Sequence, residues 1–257
     1  LLVAGLFFKA YGVSPLRAYG FILKGAFGSR LGLTETIRRM IPLLVIGVGL
    51  VVAFRALFWN IGAQGQLLMG AVAATGIALF SGIPDLLLIP AMFIGGFFAG
   101  ALWGIGPAYL KVKLGINDVI TTLMLNYVAI SIVEWLVYGP WKGITQRGFP
   151  RTDRFPDAAI LPTIASTRIH WPTLAIGLTA ALVLFVVLKK TRVGFEIRVV
   201  GENPHAAQYS GISQTKITIL AMVISGGLAG IAGVGEVAGI HYLLQNPLSI
   251  SLSYGFT

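Results

Sequence analysis

The chain has 257 residues, 56% of them apolar and only 11% charged, with a mean hydropathy of +0.85 and a formal net charge of +10. That leaves too little polar surface to dissolve a globule, so a soluble domain is excluded and a membrane protein is indicated. The absence of cysteine excludes disulfides, thiolate metal sites and thiol redox chemistry.

The opening stretch LLVAGLFF starts in the middle of an apolar run, and the last residues, SLSYGFT, form no polar tail. We read the chain as a fragment of a longer one. A signal peptide would need a basic start and a small-residue cleavage site, so a truncated first span fits the opening better. Ser14-Pro15 then reads as a helix cap followed by a first-turn proline, with Leu16, Tyr19, Ile22, Leu23 and Phe27 at helical spacing beside Arg17 and Lys24. Too charged and short to span, this segment predicts an amphipathic helix at the membrane interface. Thr34-Glu35 is expected to start the next helix, which meets Pro42 and enters the bilayer.

Apolar windows follow at 41–54, 56–84, 86–110, 119–133, 169–188 and 217–235, and an uncharged stretch runs from 237 to the end. Crossing the hydrocarbon core takes roughly 20 residues of helix, whereas a membrane barrel would show alternating segments of about ten. The predicted fold is therefore all-α and polytopic, a single multi-span domain over 1–257. The segments SGIPD, LKVKLGIND, the long stretch 139–168 and the polar stretch 189–216 are its connections. With sides alternating, Arg55, Lys111, Lys113, Lys189, Lys190, Arg192, Arg198 and Lys216 fall on one side and eleven basic residues on the other. Since the eleven lie in longer loops, charge alone does not orient the chain. The positive balance is assigned to anionic lipid headgroups rather than to nucleic acid.

Glycines recur four apart at Gly96, Gly100 and Gly104, and again at Gly226 and Gly230, a pattern explained by close helix packing in lipid. The decapeptides AMFIGGFFAG and AMVISGGLAG match at six positions, on helices expected to run in opposite directions. An inverted repeat would produce this, but so would chance in so biased a composition.

Polar residues inside the windows carry the functional question. Asn60, Gln64 and Gln66, with Gly62 and Gly65 between them and Arg55 just before, look like a broken helix, which is tolerated where protein or water satisfies the freed backbone. Such amides either glue helices together or line a wet path, and as a group they point to the path, with Asn126 a further member. Glu236 either pairs with Arg55, lines the path, or lies near an outer end. Trp135, Tyr138 and Trp141 beside Glu134 form an interfacial belt. Because amides outnumber buried charges, the cargo suggested is neutral and hydroxylated. His170, His205 and His241 have no ligand spacing, so no metal site and no catalytic group is expected. Asn203-Pro204, with Glu202 before and Gly211 after, reads as a short polar helix suited to docking in another protein's groove, or else as a solvated turn. No G-x-x-x-x-G-K-[ST] loop occurs, so any driving ATP would be bound by another subunit.

FWNIGAQGQLLMGAVAA, LKVKLGINDVITTLMLNYVA and TRVGFEIRVVGENPHAAQYSGI resemble the inner-membrane permease subunits of bacterial ABC importers for simple sugars and nucleosides. These belong to the larger branched-chain amino acid and ribose permease group, and the NIGAQGQ form is similar to the first of two paired permeases served by a basic-membrane-protein-like lipoprotein. The likeness covers residue 11 to the end. It implies a second permease, a paralogue in the family's pattern, two ATPase subunits carrying ATP and Mg, and a periplasmic or lipid-anchored substrate-binding protein, with no cofactor on this chain. It also matches Gly194, Arg198, Gly201, Glu202, Asn203, Pro204, His205, Ala207 and Gly211 to the coupling-helix region. Residues 189–216 would then face the cytoplasm, and 11–40 and 139–168 the periplasm of a bacterial cytoplasmic membrane. Members commonly read NIGAEGQ, so Gln64 replaces a glutamate. The family's function would be alternating access driven by the ATPase. The rivals are an ion-coupled transporter or channel using Glu236 and Arg55, and a scaffold whose amides are only helix glue.

Overall fold

The structure is a computed structural model and describes residues 2–146, 148–164 and 167–246. Among these residues it is helical, with no strand beyond isolated bridges. α1 (Leu2–Ala10) and α2 (Pro15–Phe27) come first, and neither buries a residue. α2 begins at Ser14-Pro15 as the sequence predicts. Six helices among the described residues are long and apolar enough to cross a membrane: α3 (Arg30–Arg55), α4 (Ala63–Phe80), α5 (Asp85–Leu114), α6 (Asp118–Tyr138), α7 (Trp171–Lys190) and α10 (Gln214–Glu236). Between the last two lie α8 (Arg192–Glu202) and α9 (Pro204–Tyr209).

Caps moved three boundaries from their expected places. α3 starts at Arg30 rather than Thr34 because Ser29 Oγ accepts from Gly32 N at 3.0 Å, while Glu35 instead pairs with Arg38 at 2.8 Å. α5 runs through the basic segment to Leu114, where Lys111 and Lys113 complement the helix dipole and Gly115 turns left-handed at φ +65°. Asn117 then caps α6, its side chain accepting from Val119 N and Ile120 N at 2.9 and 3.2 Å. α8 was not expected as a helix. It is capped by Thr191 and buries Gly194, Ile197 and Val200 against α7 and α3.

Of the stretch from 237, the described residues, 237–246, form no further span. A π-helical turn, Val237–His241, ends α10, and the chain reverses at Tyr242 (φ +60°). It then pairs with the loop after α6: Thr152 N donates to Leu244 O, Phe155 N to Tyr242 O, and Leu161 N to Ala238 O, all within 3.0 Å. The remainder of that stretch, 247–257, lies outside the described residues.

α10 is the central helix, buried almost continuously from Ser225 to Gly239, with α4, α5 and α3 around it. The glycines dictate that arrangement. A Cβ on Gly230 would run into the Gly96 carbonyl, one on Gly100 into the Gly226 carbonyl, and one on Gly233 into the Leu67 carbonyl. The two matching decapeptides therefore face each other across the antiparallel α5–α10 seam, where Gly100, Gly226 and Gly230 allow backbone-to-backbone contact and Gly227 makes room for the Phe97 ring. α7 sits at the edge and buries only Thr173 and Gly177.

Candidate functional site

Between α3 and α4 the chain leaves helical geometry over 56–62, with Leu57 at φ +55°. Its polar backbone atoms are met by neighbouring helices, as burial requires. Lys111 Nζ donates to Leu57 O and to Asp118 Oδ2, both at 2.6 Å, and Asp118 Oδ2 also accepts from Trp59 N at 2.7 Å. Lys111 lies 4.9 Å from the ring centre of the buried Phe58.

The amides are brought together just beyond. Asn60 Nδ2 donates to Gln66 Oε1 and to Ser225 Oγ of α10, each at 2.9 Å, and Gln66 Nε2 returns a bond to Asn60 Oδ1 at 3.0 Å. Ser225 lies eleven residues into α10, about 16 Å from its first turn at the α-helical rise, so the network is deep in the bundle. α4 has Gly62 at its N-cap and therefore no side-chain cap of its own. The acceptor comes from α6: Asn126 Oδ1 takes Gly65 N at 2.7 Å, one of the first-turn donors with no intrahelical partner, while Asn126 Nδ2 donates to Ile61 O at 2.9 Å. Gly62 and Gly65 serve this approach. A Cβ at 65 would lie 3.0 Å from both Asn126 Oδ1 and Trp103 Nε1, and one at 62 would lie 3.0 Å from Thr122 Cβ. Asn60, Gln64, Gln66 and Asn126 are all at most 3% exposed. In this chain the arrangement fastens α4, α6 and α10 to one another.

Glu236 stands apart. Arg55 is level with the start of α10, since Val52, Ala56 and Ile217 share one apolar cluster. Glu236 follows Ile217 by 19 residues, about 28 Å of helix, so the Arg55 pairing considered from sequence does not form, and the ion-coupling reading loses its motif. Its Oε2 is instead 3.6 Å from His241 Nε2, and its Oε1 is buried without a partner. Nearby, in the loop just ahead of α7, His170 is fully buried with neither ring nitrogen bonded, against Gly235 and Gly239. Burial, with Arg38 adding a smaller push, lowers its pKa from 6.5 to about 4. The three histidines form no metal-holding group among the described residues.

At the opposite end, the residues matched to the coupling region form one unit. Gly194 packs on α7, where a Cβ would meet the Val187 carbonyl, and Gly201 packs on the Arg55 carbonyl. Arg198 lies on the α8 flank facing α3 and α7, and Glu202 ends α8. Asn203 caps α9 by accepting from Ala206 N at 3.0 Å, Pro204 opens the helix, and Gly211 (φ +75°) closes it as Ile212 N donates to Ala207 O at 2.9 Å. Ala207 is fully buried against α3 and α10, whereas His205 and Tyr209 are exposed. The helix is thus fixed to the bundle by one face and free on the other. The coupling-region residues and the amides stand out in the sequence by type and spacing, whereas Ser225, Asp118 and Lys111, which the structure bonds to the same connection, do not. The signal for Ser225 was a hydroxyl inside the glycine-rich run of α10.

The family model described as branched-chain amino acid transport system / permease component matches residues 32–256. The glucose ABC transporter permease protein TsgB13 of Haloferax volcanii is 35% identical over all of this chain and 70% of its own length. The nucleoside ABC transporter permease protein NupB of Lactococcus lactis is 35% identical over 99% of this chain and 72% of its own. A second permease of the same organism, NupC, is 26% identical over 75% of this chain and 62% of its own. No solved structure matches the chain. With six membrane-crossing helices and a family match over most of its length, the chain belongs to the permease component family of branched-chain amino acid transport systems, as a multi-pass ABC transporter subunit and not an enzyme.

Proposed function

We propose that the chain is one permease of an ATP-driven importer for nucleosides or simple sugars, resident in a cytoplasmic membrane and paired with a paralogous permease. The names of its relatives, glucose for one and nucleosides for two, support that cargo class, as does a polar interior built from neutral amides. α9 carries the reading. Six residues long, capped at both ends, rooted through Ala207 and exposed at His205 and Tyr209, it is shaped to sit in a groove of another protein. The partner there is the ATPase, which holds ATP and Mg, so this end is cytoplasmic. The loop that covers the π-helical turn at the other end meets a substrate-binding protein.

The movement of α9 reaches the interior by a short route. α8 bears on the Arg55 carbonyl at the foot of α3, and the connection that follows Arg55 leads within five residues to Asn60. We assign Asn60, Gln64, Gln66 and Asn126 to the wall of the path, closed in this structure where Asn60, Gln66, Asn126 and Ser225 bind α4, α6 and α10 together, and Glu236 to its outer end. Asn203→Asp and His205→Glu are expected to uncouple ATP hydrolysis from uptake while the membrane complex still assembles. Unchanged uptake in reconstituted vesicles by both variants would refute the assignment of α9.

A further inference from the structure

A cavity of about 370 Å³ opens on the flank of the bundle between α3, α7 and α8. Its walls are Val48 and Val51 of α3 and Leu184 and Leu188 of α7, and its rim carries Arg55, Lys189 and Arg198. Those three cations come from three helices and converge without an acidic partner. Among the described residues none of them makes an ion pair or a hydrogen bond, and Lys189 has only the face of Phe185 at 4.4 Å. The nearby carboxylate of Glu196 is taken by Arg192 at 2.9 Å.

We propose that this groove binds one anionic phospholipid, with an acyl chain along the α3–α7 wall and the phosphate among Arg55, Lys189 and Arg198. Charge and depth both select that occupant. Lys189 and Arg55 end their spans, which puts the rim at headgroup level, and the groove below is lined by the helix faces that meet lipid tails. A diffuse attraction of basic residues to the membrane would need no cavity. Here an apolar slot and a set of unpaired donors coincide, and the volume is in the range of ordinary small-molecule sites. The bound phosphate would join α8 to α3 and α7, bracing the foot of α9 from the lipid side. The inference requires only that the chain spans a membrane, and it stands whether or not α9 meets an ATPase.

The test uses the purified permease complex in detergent, with phosphatidylglycerol, phosphatidylcholine or inorganic phosphate added. Lipid retention is read by native mass spectrometry and thermal midpoint by unfolding. Phosphatidylglycerol should be retained and raise the midpoint, phosphatidylcholine should do so at least tenfold more weakly, and inorganic phosphate should leave the midpoint unchanged. The triple variant Arg55→Gln, Lys189→Gln, Arg198→Gln should weaken phosphatidylglycerol retention by roughly tenfold or more, since each surface cation contributes about 1 kcal/mol to such binding. A control of equal charge loss, Lys113→Gln, Lys190→Gln, Lys216→Gln, should not. Ala181→Trp, which fills the slot and keeps every cation, should also reduce retention. Equal losses in the two triple variants, or equal binding of the two lipids, would overturn the proposal. So would a midpoint rise with phosphate alone, or a Leu188→Cys disulfide to a cysteine placed in the second permease.

Discussion

Asn126→Leu removes the pin between α6 and the start of α4 while keeping the side chain's size. The native amide donates to Ile61 O at 2.9 Å and accepts from Gly65 N at 2.7 Å, with no exposure to solvent. Leucine fills the same space and offers neither bond, which strands a carbonyl in the non-helical connection and a first-turn donor of α4. Each stranded group costs about 1–3 kcal/mol in soluble proteins. Interhelical bonds measured in a membrane are smaller, roughly 0.6 and at most about 1.7 kcal/mol each. For two bonds the membrane values give a loss of about 1–3 kcal/mol, or a fall of roughly 2–12 °C in midpoint for a chain of this size. The assay is thermal unfolding of the purified chain in detergent beside Val128→Leu, a neighbour on α6 that is 46% exposed, which should change little. If Asn126→Leu proves as stable as that control, the pin has no energetic role and the account of the amide network fails.

Gly230→Ala forces a methyl group into the Gly96 carbonyl, where only backbone can give way, so a loss of at least about 1–3 kcal/mol is expected. Gly47→Ala in α3 meets nothing within 4 Å and should be neutral or slightly stabilising, and comparing the two unfolding midpoints checks the seam. His170 has a folded pKa of about 4 against 6.5 unfolded, so below pH 6.5 the unfolded chain binds the extra proton. Stability should therefore be unaffected by this group above pH 6.5, decline as pH falls from there towards 4, and level off below, by at most roughly 3 kcal/mol. Midpoints of His170→Phe between pH 7 and 4 should lack that decline, and an identical acid loss in variant and parent would refute it.

The crossings were legible because each is a charge-free window of helical length, a one-dimensional property. What escaped was set by single side chains or by distant ones. Ser29, one serine before an apolar run, took the cap that Thr34 was expected to supply. α8 escaped because its apolar residues, Ile197 and Val200, are interleaved with charges and read as a polar connection. The amides were visible as residue types out of place, but their meaning depends on partners far along the chain. Asn60 meets Ser225 165 positions away, and no local pattern announces that contact. Glu236 was misjudged in one of its alternatives for the same reason: hydropathy shows which residues are in the membrane and nothing of which end.

Where α5 and α10 touch, main chain lies on main chain at Gly96, Gly100, Gly226 and Gly230, with the Val234 side chain and the Phe97 ring packed to either side. Two helices so joined cannot shear past each other by small steps, and they behave as a keel. Any rearrangement of the subunit has that keel to pivot on, and α7, whose fully buried residues are Thr173 and Gly177 and which rests on the bundle through Ile176, Ala180, Leu184 and Leu188, is the span least tied to it.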